Sequence, residues 1–149
     1  MRTLHVGLRV SDLERSLAFY RAVGYTVIGA VEGTPFGTLT MLQLPGDPFV
    51  TIELVHDPAK GTVELGTGIN HLVIQVEALD ATLADLAVKG IAADPAADLG
   101  HPDAPRTSWV TDPDGYRIEL VQWPAGHADG ITNADFPEPT DPARLPAAP

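Results

Sequence analysis

Residues 4–24, LHVGLRVSDLERSLAFYRAVG, and residues 70–90, NHLVIQVEALDATLADLAVKG, carry one pattern twice. His5 falls on His71, Val10 on Val76, Leu13 on Leu79, Leu17 on Leu83, Ala18 on Ala84 and Gly24 on Gly90, with no gap. The same register carries Ile52-Glu53-Leu54-Val55 onto Ile118-Glu119-Leu120-Val121, since 71 − 5 and 119 − 53 both equal 66. Fixed-offset self-similarity marks a repeat architecture, here two similar halves. Scattered apolar identities would mean little by themselves. A shared register for one His and one Glu, 48 residues apart in each half, means more.

Each half reads as strand, helix, then three short strands. Residues 3–10 alternate with period two, placing Leu4, Val6, Leu8 and Val10 on one face and His5, Gly7 and Arg9 on the other. Ser11 followed by Glu14 has the spacing of a capping box. Leu13, Leu17, Tyr20 and Val23 supply a helical stripe, and Gly24 suits the stop. Strands are expected near 25–31, 37–44 and 49–56. The second half predicts a strand over 69–76, a helix over about 79–88, and strands near 91–94, 106–111 and 116–122. The turn Asp112-Pro113-Asp114-Gly115 precedes the last strand. The expectation is a single domain over 1–123, with repeats at about 3–56 and 69–122. Residues 124–149 form a Pro/Ala/Asp-rich tail with no sustained period, expected to wrap the surface to about Phe136 and to be loosely held beyond it.

Composition narrows the function classes. The 149 residues include no cysteine, which removes disulfides, thiolate nucleophiles and thiolate metal ligands. A formal charge of −11 argues against nucleic-acid binding, because few cations are available to displace counterions from phosphates. No segment is long and apolar enough to span a bilayer, and no secretory n-region and h-region are visible, so the cytoplasm is the expected compartment.

The alternation puts His5 and Glu53, and again His71 and Glu119, on strand faces turned away from the helices. In curved sheets all four side chains would point into a concave side. Two imidazoles and two carboxylates neutralise a divalent ion and leave room for water in an octahedral shell. Zn, Ni, Co, Fe and Mn all suit that set, with Zn or Ni leading. A single His or Glu on a strand is ordinarily solvated; the matched register is what raises these four.

Other polar residues carry less. His56 and His127 have no repeat partner and read as surface or turn residues; His101 lies in a Gly/Pro/Asp loop near an expected cavity mouth. Arg9 shares the inward face with His5 and needs an anion, from the protein or from a substrate. Arg106, on a loop entering a strand, is a candidate for a substrate carboxylate, against the plainer reading of a solvated side chain.

These segments resemble the vicinal oxygen chelate superfamily, and within it the glyoxalase I (lactoylglutathione lyase) branch, over about residues 2–123. The resemblance rests on Leu4-His5, Leu8-Arg9-Val10, Ser16 to Tyr20, Ile52-Glu53-Leu54, Glu64-Leu65-Gly66-Thr67 before His71, and Asp112 to Leu120. It implies an α+β fold of two tandem βαβββ modules forming an open, cupped, eight-stranded barrel-like sheet around one divalent metal, commonly in a homodimer with the site between subunits. The implied reaction turns the hemithioacetal of a 2-oxoaldehyde and a thiol into a 2-hydroxyacyl thioester. Glu119 is then the preferred base, with Glu53 serving the other substrate hand. Arg9 matches an arginine that contacts the thiol's carboxylate end. Asp57 stands where glutathione-dependent members carry Asn, and Thr67 where some carry a basic residue. Both departures leave the thiol open. Dioxygenase, epimerase and non-catalytic antibiotic-binding relatives are the alternatives on this scaffold, and the complete His/Glu/His/Glu set weighs against them.

Overall fold

A computed structural model describes residues 1–98, 100 and 104–136. The first half contains β1 (Val6–Arg9), α1 (Leu13–Val23), β2 (Thr26–Thr34), β3 (Gly37–Gln43) and β4 (Ile52–His56); the second contains β5 (Leu72–Gln75), α2 (Leu79–Val88), β6 (Ala97–Asp98), β7 (Arg106–Thr111) and β8 (Arg117–Gln122). The α+β architecture of two βαβββ modules is therefore present. Among the described residues eight strands form two four-stranded sheets, ordered β1-β4-β3-β2 and β5-β8-β7-β6.

Register and alternation explain which side of each sheet is covered. In β1, Leu8 and Val10 beyond its end are buried, as are Ile52 and Leu54 of the parallel neighbour β4. They share the core with Leu17, Tyr20 and Leu42. Ile74, Leu79, Leu86, Val110, Ile118 and Leu120 make the corresponding layer in the second half. Removing these side chains from water supplies the main driving force. The expected apolar face of β1 is shorter than the alternation suggested, because Leu4 and Val6 stay exposed.

Local signals differ from expectation at two places. The α1 cap is Asp12, whose side chain accepts from Arg15 N, and not Ser11. Ser11 instead joins the halves: its Oγ accepts from Val63 N at 2.8 Å and its N–H donates to Asp114 at 3.1 Å. Near 91–94 only an isolated bridge forms, between Ala93 and Val110, and the short strand of that region is β6. α2 has no side-chain cap of its own; Leu79 N donates to the Gln122 side chain at 2.7 Å.

The Asp112-Pro113-Asp114-Gly115 turn closes the β7–β8 hairpin and also docks the halves together. Asp112 accepts from the N–H groups of Asp114 and Tyr116 at 2.9 and 2.8 Å, and the buried Tyr20 hydroxyl of α1 donates to it at 3.2 Å. Tyr116 donates to the Arg9 carbonyl at 3.1 Å. Gly115, at φ 96°, takes the left-handed conformation that completes the turn.

Of the tail, residues 124–136 are described, and they fold back on the second half. The rest of it, and His101, lie outside the described residues.

Candidate active site

Each sheet presents one His/Glu pair on the face away from its helix. His5 Nε2 lies 3.7 Å from Glu53 Oε2, and His71 Nε2 lies 3.6 Å from Glu119 Oε2. The pairing follows from parallel register: Gly7 stands beside Glu53 on β1–β4, and Val73 beside Glu119 on β5–β8, so each His two residues earlier reaches the neighbouring carboxylate. A Cβ at Gly7 would meet Glu53 Oε1 at 3.6 Å, an ordinary contact, and the equivalent position beside Glu119 is Val73.

The spacing is compatible with the four groups meeting within one chain or across a dimer, and in the single chain they stand as two separate pairs. Among the described residues no three His, Asp or Glu side chains gather where one ion would reach them. The reason is topological. Each pair belongs to its own sheet, and the contacts fixing one sheet to the other run through α1 and the Asp112–Tyr116 turn. One chain carries two separate His/Glu pairs.

The chemistry of each pair fits a divalent ion. The Glu53 and Glu119 side chains are only 15% and 21% exposed, yet neither accepts a hydrogen bond among the described residues. Each lies beyond hydrogen-bond distance of its imidazole and close enough for both to share a cation. Partly buried carboxylates without donors need a counter-charge. His71 Nδ1 donates to Asn70 Oδ1 at 2.6 Å, fixing the ring with Nε2 toward Glu119.

Two cavities adjoin these faces. One of about 570 Å³ is lined by Gly7, Arg9, Lys60, Glu64, Leu65 and Tyr116, among others. Arg9 has no ion-pair partner among the described residues, which leaves its guanidinium available. The other, of about 500 Å³, contains His71 and Glu119 themselves, with Val73, Gln75, Thr107 and Val121 around them.

Two expected substrate contacts are otherwise engaged. Arg106 does not face a ligand cavity: its guanidinium makes a bidentate pair with Asp80 at 2.9 and 3.1 Å and donates to Asp98 at 2.7 Å. Asp80 sits in the first turn of α2, and the hydrogen bonds and charge of Arg106 hold its carboxyl below the usual range. Asp57 caps the 3-10 turn Pro58–Lys60 by accepting from Ala59 N at 3.0 Å. His56 closes β4 opposite Thr38. His127 is no free surface residue; it bonds Asp135 at 2.8 Å and stacks on Trp123.

Trp109 was not singled out in the sequence, yet it packs edge-on against His71 at 5.2 Å. A signal existed. Counting outward from the Asp112–Gly115 turn pairs Trp109 with Glu119 across β7–β8, placing both on one face.

The sequence matches the Glyoxalase/Bleomycin resistance protein/Dioxygenase superfamily over residues 2–120. The chain belongs to this superfamily. Within it, similarity to lactoylglutathione lyases extends over most of both chains. A probable lactoylglutathione lyase of Vibrio cholerae is 34% identical over 85% of this chain and 94% of its own length. The lactoylglutathione lyase of Haemophilus influenzae is 33% identical over 82% and 93%. Among solved structures, the trypanothione-dependent glyoxalase I of Leishmania major superposes with TM-score 0.67 at 28% identity, over 82% of this chain and 86% of that one. TnmS3, an antibiotic binding protein from Streptomyces, shares the fold at TM-score 0.64 and 23% identity.

Proposed function

We propose that this superfamily member is a divalent-metal-dependent glyoxalase I-type lyase that converts a 2-oxoaldehyde–thiol hemithioacetal into a 2-hydroxyacyl thioester. The observation that carries the reading is the duplicate His/Glu pair at 3.7 and 3.6 Å, in a chain whose curated relatives are lactoylglutathione lyases. His5, Glu53, His71 and Glu119 are the proposed ligands, on a functional unit spanning residues 1–123. Because one chain separates the pairs, the reading requires two copies, with the His5/Glu53 half of one facing the His71/Glu119 half of the other.

When bound, a divalent ion supplies Lewis-acid stabilisation of the negative charge that develops on the substrate's two adjacent oxygens. The chain's own residues do the rest. Glu119 takes the proton from one substrate carbon and returns it to the neighbouring carbon; Glu53 does so for the opposite hand. Trp109 and Asn70 hold the His71 ring in place. Arg9, with Lys60 beside it in the cavity wall, receives an anionic end of the thiol. Neither Asp57 nor Arg106 is retained in that role, since both are engaged within the fold.

The test is metal removal. Chelator-treated protein is expected to lose turnover of methylglyoxal hemithioacetals and to regain it with Zn or Ni, assayed by thioester absorbance with glutathione and with other low-molecular-weight thiols. Metal-loaded protein inert toward every thiol adduct would overturn the reaction.

A further inference from the structure

The His71/Glu119 cavity is closed on one side by residues beyond the superfamily match, which ends at residue 120. After β8 the chain turns back over its own sheet, and Trp123, Gly130 and Ile131 enter the cavity wall. Trp123 continues the face that carries Glu119 and Val121, two residues apart each time. Ile131 arrives from the returning strap.

The strap is held by specific contacts at both ends. Gln75 donates from Nε2 to Asp129 at 2.7 Å and accepts from Gly130 N at 3.1 Å, a two-point clasp immediately before Ile131. Nearer β8, His127 stacks on Trp123 with ring centroids 4.3 Å apart and planes within 6°, and its Nε2 pairs with Asp135. Asp135 in turn closes a capping box with Thr132. Gln75 is the repeat equivalent of Arg9, at the 66-residue offset. One face position therefore leaves a cation available in the first half and fastens the strap in the second.

What the strap adds is apolar. Ile131 is 68% exposed and Val73 57% exposed, and both line this cavity with Val121 and Trp123 beside the Glu119 carboxylate. Apolar surface held open to water beside a proposed reactive centre is stabilised when an apolar ligand group covers it. We propose that Ile131 and Trp123 are specificity-determining residues, forming a strap wall that receives the apolar side chain of the 2-oxoaldehyde and favours aryl or branched substituents over methyl. This inference rests on the reaction proposed above.

The experiment compares phenylglyoxal and methylglyoxal hemithioacetals of one thiol as kcat/KM ratios. Ile131→Ala is expected to lower the aryl-to-methyl ratio about tenfold, the scale of lost apolar contact in a substrate pocket. As Ile131 is exposed, its truncation leaves the core intact. A second readout does not need turnover. In Trp109→Phe protein, Trp123 is the sole tryptophan, and its emission should respond to benzoylformate more strongly than to pyruvate, with Ile131→Ala weakening the aryl response. That selective response, together with no turnover of any hemithioacetal by metal-loaded wild-type protein, would support the wall and overturn the reaction alone. An unchanged substrate ratio in an active Ile131→Ala enzyme would overturn the wall, as would equal responses to the two oxo acids. A changed dimer dissociation with no change in selectivity would overturn it too, assigning Ile131 to subunit contact.

Discussion

Glu119 and Glu53 occupy equivalent places in the two repeats, but their neighbours differ. Glu119 stands opposite Trp109 and beside Val73, Glu53 opposite Met41 and beside Gly7. Glu119 lines the cavity together with His71, and that placement within reach of a bound substrate favours its assignment as base. Glu119→Gln keeps the shape and removes the proton acceptor. It is expected to lower kcat by about 10²- to 10⁴-fold while thermal unfolding and circular dichroism stay close to wild type. A variant retaining full turnover would remove Glu119 from the chemistry. Asp112 shows the opposite use of a carboxylate: burial raises its pKa, while hydrogen bonds from Tyr116, Asp114 and Tyr20 pull it down, and its job is to fasten a turn.

At the scale of elements, strands were legible from alternation and α2 from its apolar run, whereas caps were not. Ser11 has the right composition for a helix cap, but the long-range bonds to Val63 and Asp114 claim it, and Asp12 caps instead. Propensity cannot weigh a partner fifty or a hundred residues away. The strap is the element with a pH dependence. The His127 imidazole is raised above its ordinary 6.5 first by its hydrogen bond to the Ala128 carbonyl and then by Asp135, against the opposing effect of desolvation. The group favours the folded strap when protonated, so its contribution is complete below the ordinary value and is lost as pH rises through the raised one. NMR of the His127 ring should give a midpoint above 6.5, with the Trp123 ring signals moving in step. Asp135→Asn should lower that midpoint; no change in the variant would mean the ion pair has no part in it.

For the whole molecule, the decisive feature is the division of four proposed ligands into two pairs. A closed two-fold dimer that joins unlike halves makes two equivalent sites, each with one pair from either copy. His5→Gln and His71→Gln would each disable both sites of their own homodimer. In a mixed dimer both substitutions fall into one site and the other is intact. Unfolding and refolding an equimolar mixture should therefore restore about a quarter of wild-type activity if subunits reassort at random. Absence of any recovery in a mixture shown by mass spectrometry to contain heterodimers would refute a shared site. The dimer itself is checked by light scattering.

Period-two alternation and the 66-residue register by themselves determined the two βαβββ modules, the four His and Glu residues and the strand faces they occupy. These are consequences of local geometry: side chains alternate along a strand, and a repeated sequence repeats its sheet. Only the tertiary structure decided that one chain keeps the pairs apart, that Arg106 is taken up by Asp80 and Asp98, and that Ile131 reaches the His71/Glu119 cavity. Those outcomes depend on how one sheet docks on the other through Tyr20, Asp112 and Tyr116, and on where a chain without periodicity turns back. Such contacts join residues distant in sequence, and no local pattern encodes their partners.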